Sequence, residues 1–163
     1  MIISLIGMTG AGKTTVGKIL ADRLHYNFLD TDEIIRENTK KTPAEIFAES
    51  GEDAFRTIES ETLENIFTDN KNNIILSCGG GIILRENNRA VLRQKSRIVW
   101  LIRPSEIILK NPDILNRPPI NNDPENYHKI FKARESLYAQ TCHVKINFAD
   151  AEESAGKIIA QFI

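Results

Sequence analysis

The sequence predicts an open α/β sheet with helices on both faces, and three features predict it. Short apolar runs alternate with longer helical patterns from one end of the chain to the other. The run Ile98-Val99-Trp100-Leu101-Ile102 is apolar at every position, as expected of a strand buried on both faces of a parallel sheet. The first apolar run passes straight into a glycine-rich turn and then a helical pattern, the opening of a β-α unit. At 163 residues there is room for one such domain, spanning 1–163.

Taken in order, strands are expected at Ile2–Ile6, Asn27–Asp30, Ile74–Ser77, Arg97–Ile102 and Val144–Phe148. The last alternates apolar and polar residues, which suits an edge strand with one wetter face. Helical patterns fill Thr14–Leu24, Thr42–Ser50, Asp53–Phe67, Glu86–Gln94, Asn126–Gln140 and Ala151–Phe162. Thr42-Pro43-Ala44-Glu45 is a capping box with proline at the first helical position, and Asp150 to Glu153 repeats that logic before the last helix. Residues 110–125 break the rhythm with four prolines (112, 118, 119 and 124) and no clear apolar period. A loop of that length in a compact domain points to a lid.

Composition narrows the classes of function. The net charge is −1 with acids and bases interspersed, so no basic face or tail calls for nucleic acid. The two cysteines, Cys78 and Cys142, lie far apart without a CxxC pattern and read as free thiols in a reducing compartment. His25, His128 and His143 lack metal-ligand spacing. The N-terminal apolar run has no basic flank and is too short for a signal or a membrane span, so a cytoplasmic protein is expected, a monomer by default.

Gly7-Met8-Thr9-Gly10-Ala11-Gly12-Lys13-Thr14 matches GxxxxGK[ST] and lies between a strand and a helix, the context that confirms a phosphate-binding loop. Its glycines let backbone N–H groups turn inward on phosphate oxygens, and the following helix adds the positive end of its dipole. Lys13 supplies charge to the β- and γ-phosphates, and the Thr14 hydroxyl ligates Mg²⁺. The motif therefore predicts binding of a magnesium nucleoside triphosphate and transfer of its terminal phosphoryl group.

A generic enzyme of this kind carries an acid after another apolar strand, but Ile74-Ile75-Leu76 ends in Ser77. The nearest acids after a strand are Asp30 and Asp32, two apart and so on one side of an extended segment. Asp30 is the expected partner of the metal or its waters, and Asp32 the group that orients or deprotonates an acceptor hydroxyl. Asp32 can equally cap a helix beginning at Glu33. Gly79-Gly80-Gly81 follows the third strand and permits close approach of a ligand at the carboxyl edge, where open α/β sheets bind. Arg56, with Glu59 one turn on to orient it, Arg134 on the helix after the loop, and Arg117 within the loop are the candidate anion-binding arginines. Taken singly, each is more often a surface arginine than a ligand.

Together these residues resemble the shikimate kinase family, small single-domain kinases related to the nucleoside monophosphate kinases. The resemblance runs over essentially the whole chain. It rests on GMTGAGKTT at Gly7–Thr15, FLDTD at Phe28–Asp32, AFRTIE at Ala54–Glu59, CGGG at Cys78–Gly81, NRPP at Asn116–Pro119 and RESLY at Arg134–Tyr138.

The resemblance implies a three-layer α/β/α phosphate-loop fold. Its parallel five-stranded sheet has the order 2-3-1-4-5, with a mobile lid over about residues 110–125 and acceptor-binding helices over about 32–62. It implies transfer of the ATP γ-phosphate to the 3-hydroxyl of shikimate, on the route to chorismate and the aromatic amino acids, with one Mg²⁺ per subunit. Gly10, Ala11, Gly12, Lys13, Thr14, Thr15, Lys110 and Arg117 are then the ATP contacts, and Thr14 and Asp30 the metal side. Asp32, Arg56, Gly79, Gly80, Gly81 and Arg134 hold shikimate, the two arginines on its carboxylate. Asp32, Lys13 and Arg117 carry the chemistry, Arg117 as a finger closing from the lid. Two positions depart from the family. Its Arg-Pro-Leu is Arg117-Pro118-Pro119 here, and Lys110 stands where members commonly carry an arginine that packs on adenine. A gluconate-type or nucleotide kinase remains the alternative, since separated arginines suit an acceptor phosphate as well.

Overall fold

A computed structural model describes residues 1–69, 73–117 and 120–163. Five parallel strands form one sheet in the order β2-β3-β1-β4-β5, where β1 is Ile2–Ile6, β2 Asn27–Asp30, β3 Ile74–Ser77, β4 Arg97–Ile102 and β5 Val144–Asn147. This is the order the resemblance implies. The order reverses at β1, with β3 on one side and β4 on the other. A crevice opens beyond the strand ends at such a switch point, and the phosphate loop leaves β1 there. The helices are α1 (Lys13–Leu24), α2 (Thr31–Thr39), α3 (Pro43–Asp69), α4 (Glu86–Lys95), α5 (Ser105–Ile108), α6 (Pro112–Leu115), α7 (Pro124–Thr141) and α8 (Ala151–Phe162). None of the described helices is long and apolar enough to cross a membrane.

Alternation along the strands divides the core into two layers. Ile2, Ile6, Ile74, Leu76, Ile98 and Trp100 face one side and pack with Leu63 and Ile66 of α3 and Tyr138 of α7. Ile3, Leu5, Ile75, Val99 and Leu101 face the other and pack with Val16 and Leu20 of α1 and Ile158 of α8. Each fully buried Ile or Leu contributes roughly 1.5–3 kcal/mol, and these layers fix the positions of the loops at the carboxyl edge. β5 is an edge strand as its alternation implies, with Ile146 buried and Lys145 and Asn147 exposed. It ends one residue before the expected Phe148.

The helices expected at Thr42–Ser50 and Asp53–Phe67 are two arms of α3, bent at Gly51. Gly51 has φ 82°, a conformation that a side chain at this position would strain. The first arm starts in the expected capping box: the Thr42 amide donates to Glu45 Oε2 at 2.6 Å and the Glu45 amide to Thr42 Oγ1 at 3.2 Å. Before α8, Asp150 accepts from the Glu153 amide at 2.8 Å, while the Glu153 side chain pairs with Lys157 instead of reaching back. The bend in α3 packs Phe55 against Ile35 of α2 and Ile46, a small core separate from the two sheet layers.

The described residues of 110–125 include apolar anchors that the sequence pattern does not show. Ile114 and Ile120, with Ile108 before them, are buried in the main core six residues apart with no buried residue between among those described, too sparse to show a helix or strand pattern. Ile108 and Ile114 also press on the phosphate loop, where a Cβ on Gly10 would come within 2.7 and 3.3 Å of them. Pro118 and Pro119 lie outside the described residues. Of the cysteines, Cys78 is buried and Cys142 partly buried, both free as expected.

One feature of the β4–β5 ladder is pH-sensitive. The His143 amide donates to Ile98 O at 2.9 Å, and the Ile98 amide donates back to His143 Nδ1 at 2.9 Å. Accepting there requires the imidazole to carry its proton on Nε2 and stay neutral. Burial, then Arg97 and Arg93, hold its pKa below the ordinary 6.5. A base whose folded-state pKa is lowered stabilises fully above the unfolded value, and that contribution is lost as pH falls below about 6.5. His143→Ala is expected to cost about 1 kcal/mol at pH 7.5 through the lost acceptor. It should also flatten the fall in melting temperature between pH 7.5 and 5.5; an unchanged pH profile would show that the imidazole is not the acceptor.

Candidate active site

The phosphate loop, the Asp30–Asp32 turn and the triple glycine follow β1, β2 and β3 and meet on one rim. A cavity of about 240 Å³ lies over the phosphate loop, lined by Gly10, Gly12, Lys13, Thr14, Thr15 and Arg103 among others. A larger one of about 460 Å³ lies beside it, reaching Arg56, Glu59, Gly81, Arg134 and the first turn of α3. Thr9, Thr14, Asp30, Asp32, Gly79, Gly80 and Arg117 line both. The two cavities share a wall; the phosphate loop makes the smaller the candidate donor side and the larger the candidate acceptor side.

On the donor side Lys13 is buried, its amine donating to Gly7 O and Met8 O at 2.9 Å each. Burial lowers its pKa below the usual lysine range, while Asp32 and Asp30 pull it back up. Thr14 Oγ1 donates to Asp30 Oδ2 at 2.9 Å and lies 3.4 Å from Ser77 Oγ. A hydroxyl and a carboxylate this close are hard oxygen donors of the kind Mg²⁺ takes alongside waters, so the residues present fit that ion. Lys110 is exposed and lines neither cavity.

Asp30 and Asp32 come together by a route other than the extended segment expected. α2 begins at Thr31, and Asp30, not Asp32, is its cap: Asp30 Oδ1 accepts from the Asp32 amide at 3.0 Å. Asp32 sits in the first helical turn, its side chain free of the capping role. A Cβ on Gly79 would come within 2.8 Å of both Asp32 Oδ1 and Glu59 Oε1, so the missing side chain leaves room for two carboxylates. Thr31 Oγ1 anchors that glycine, accepting from its amide at 2.8 Å. Burial first, then Asp30, raises the Asp32 pKa, against the pull of Lys13, Arg117 and Arg56.

On the acceptor side Arg56 is pinned from several directions. Nη1 donates to Glu59 Oε2 at 2.7 Å, and Nε and Nη2 to Glu52 Oε1 at 3.3 and 3.2 Å. Its guanidinium lies 5.7 and 5.1 Å from the ring centres of Phe47 and Phe55. A Cβ on Gly81 would fall within 2.3 Å of that guanidinium, so a side chain there would displace Arg56 from its present position. Glu59 is fully buried and Oε1 has no partner among the described residues. Burial raises its pKa, opposed chiefly by Arg56. Arg134 Nη1 donates to Gly80 O at 3.3 Å, and Tyr138 of the same helix donates its hydroxyl to that carbonyl.

The structure thus brings together Lys13, Thr14, Asp30, Asp32, Arg56, Gly79, Gly80, Gly81, Arg117 and Arg134, and leaves Lys110 apart. Phe47, Phe55, Glu52 and Arg103 were not assigned from sequence. Arg103 had one usable signal, a charge directly after a strand at the ligand-binding edge. Phe47 had none, because its contact with Arg56 depends on the bend at Gly51.

A family model for shikimate kinase matches residues 9–163. The chain is 38% identical over 157 residues to a shikimate kinase from Clostridium botulinum (strain Eklund 17B / Type B), covering 96% of this chain and 93% of the relative. It is 39% identical over 163 residues to one from Nostoc sp. (strain PCC 7120 / SAG 25.82 / UTEX 2576), covering 98% and 88%. The fold superposes on a shikimate kinase from Acinetobacter baumannii solved in complex with shikimate, with TM-score 0.91 and 36% identity over 98% of this chain and 91% of that one. With matches of this extent and a rim that assembles the motif residues, the chain belongs to the shikimate kinase family.

Proposed function

We propose that this protein is an ATP-dependent kinase that phosphorylates the 3-hydroxyl of shikimate, releasing shikimate 3-phosphate and ADP. One observation carries the reading: Asp32 stands on the wall shared by both chambers, with two arginines on the acceptor side and the phosphate loop on the donor side.

ATP takes the smaller chamber, where Gly10, Gly12, Thr14 and Thr15 offer loop amides and hydroxyls, and Lys13 exchanges its two carbonyl partners for phosphate oxygens; Ala11 is buried behind them and its amide is held by Met8 O. Thr14 and Asp30 hold the Mg²⁺, which when bound offsets charge on the β- and γ-phosphates. Arg56 and Arg134 receive the shikimate carboxylate, and Gly79, Gly80 and Gly81 let its ring approach the backbone. Asp32 takes the proton of the 3-hydroxyl as that oxygen bonds to the γ-phosphorus, and the bond to the β–γ bridging oxygen breaks to leave ADP. A raised pKa makes Asp32 a better proton acceptor than an ordinary aspartate. Arg117 meets the charge spreading over the transferred group. The reading includes action in the cytoplasm as a monomer.

The test is an ADP-release assay with shikimate, quinate, gluconate and nucleoside monophosphates in parallel. Robust turnover is expected with shikimate alone. Turnover with another acceptor and none with shikimate would overturn the reading.

A further inference from the structure

We infer that Arg103 is a nucleotide-binding residue of this enzyme, contacting the donor's phosphates; the inference rests on assigning the smaller chamber to ATP. Arg103 directly follows β4 and lines that chamber beside Gly10, Gly12 and Thr15. Its guanidinium lies 4.7 Å from the ring centre of Phe148, just past β5. Phe148 in turn packs on the phosphate loop, where a Cβ on Gly12 would come within 2.7 Å of its ring. Stacking on an aromatic face fixes the plane of a guanidinium without using its N–H groups.

Those groups are poorly served. Nη1 donates to Gly10 O at 3.3 Å, near the limit for such a bond. Nε is buried and has no partner among the described residues. Nor does Arg103 take part in any ion pair found among those residues. The contrast with Arg56 is direct, since Arg56 spends its donors on two glutamates. A cation with one long bond, an orphaned buried N–H and no carboxylate lacks a counter-charge. It sits beside a loop whose amides are arranged for anions, so a phosphate is the counter-charge that fits. Lys13 and Arg117 are the other cations lining the chamber among the described residues, and Lys110 is not one of them. Arg103 thus supplies at the donor end a charge that Lys110 does not bring there.

Titration calorimetry with ADP, and with adenosine in competition, separates the possibilities in wild type, Arg103→Met, Arg103→Lys and Lys13→Met. Arg103→Met is expected to weaken ADP roughly tenfold or more, with a smaller loss for adenosine and an unchanged melting temperature. Arg103→Lys should recover part of the ADP affinity, and KM for ATP should rise in Arg103→Met while KM for shikimate holds. ADP affinity within twofold of wild type overturns the inference. So does an equal loss for ADP and adenosine, which marks a contact to the base, or a fall in melting temperature with weaker binding of both substrates, which marks a brace for the fold. If Lys13→Met also leaves ADP binding intact, the assignment of the chamber itself fails.

Discussion

Asp32→Asn is expected to lower kcat by roughly 10²–10⁴-fold, the range for removing a positioned general base, while ADP binding stays within a few-fold of wild type. The side chain lines both chambers, whereas the capping of α2 belongs to Asp30. Asparagine therefore removes a proton acceptor without uncapping a helix. Stability should move the other way. The folded protein raises the Asp32 pKa, chiefly by burial, so the ionised carboxylate disfavours the folded state at neutral pH. That cost is absent below the unfolded value and grows as pH rises through the folded one. A neutral amide removes it, and the melting temperature of Asp32→Asn at pH 7 should equal or exceed that of wild type. In wild type, kcat/KM should fall toward acid along a limb lying above the ordinary aspartate range. Activity within tenfold of wild type in the variant, or a marked loss of melting temperature, would return Asp32 to a structural role.

How much of this was legible depends on how locally each feature is determined. The strands were read well because burial on both faces leaves apolar runs such as Ile98–Leu101 that no exposed segment needs. Capping residues were legible too, since Thr42 and Glu45 satisfy each other within one turn. The FLDTD segment misled in a specific way. Its spacing suited an extended pair, but the helix starts at Thr31, two residues before Glu33, and Asp30 ends a strand and caps a helix at once. The stretch 110–125 hid its anchors because Ile114 and Ile120 are too sparse to show a pattern and become core only when the chain folds back over Gly10. Arg103 and Phe148 are 45 residues apart and meet only because β4 and β5 are neighbours in the sheet. Pattern within one segment carries no trace of such a pair.

Arg117→Ala is expected to have an effect of the same order, lowering kcat by about 10³-fold with little change in melting temperature. Arg117 is exposed and lines both chambers, which on the proposed reading puts it within reach of the transferred group. Its backbone is tied on each side, its amide donating to Ile114 O at 3.2 Å and its carbonyl accepting from the Ile120 amide at 2.8 Å. Ile114 and Ile120 are in the core, so these two backbone bonds of Arg117 are made to buried residues while Arg117 itself is exposed. An exposed side chain contributes little to folding, which is why stability should be spared. Charge alone is not the whole requirement, since a transferring phosphoryl group presents several oxygens to a planar fork. Arg117→Lys should therefore restore binding of ATP more fully than it restores kcat. With the carboxylate assigned to Arg56 and Arg134 under the proposed function, KM for shikimate is expected to move only a few-fold. A variant whose loss appears in KM for shikimate with kcat preserved would place Arg117 on the acceptor instead of the transferred phosphoryl group.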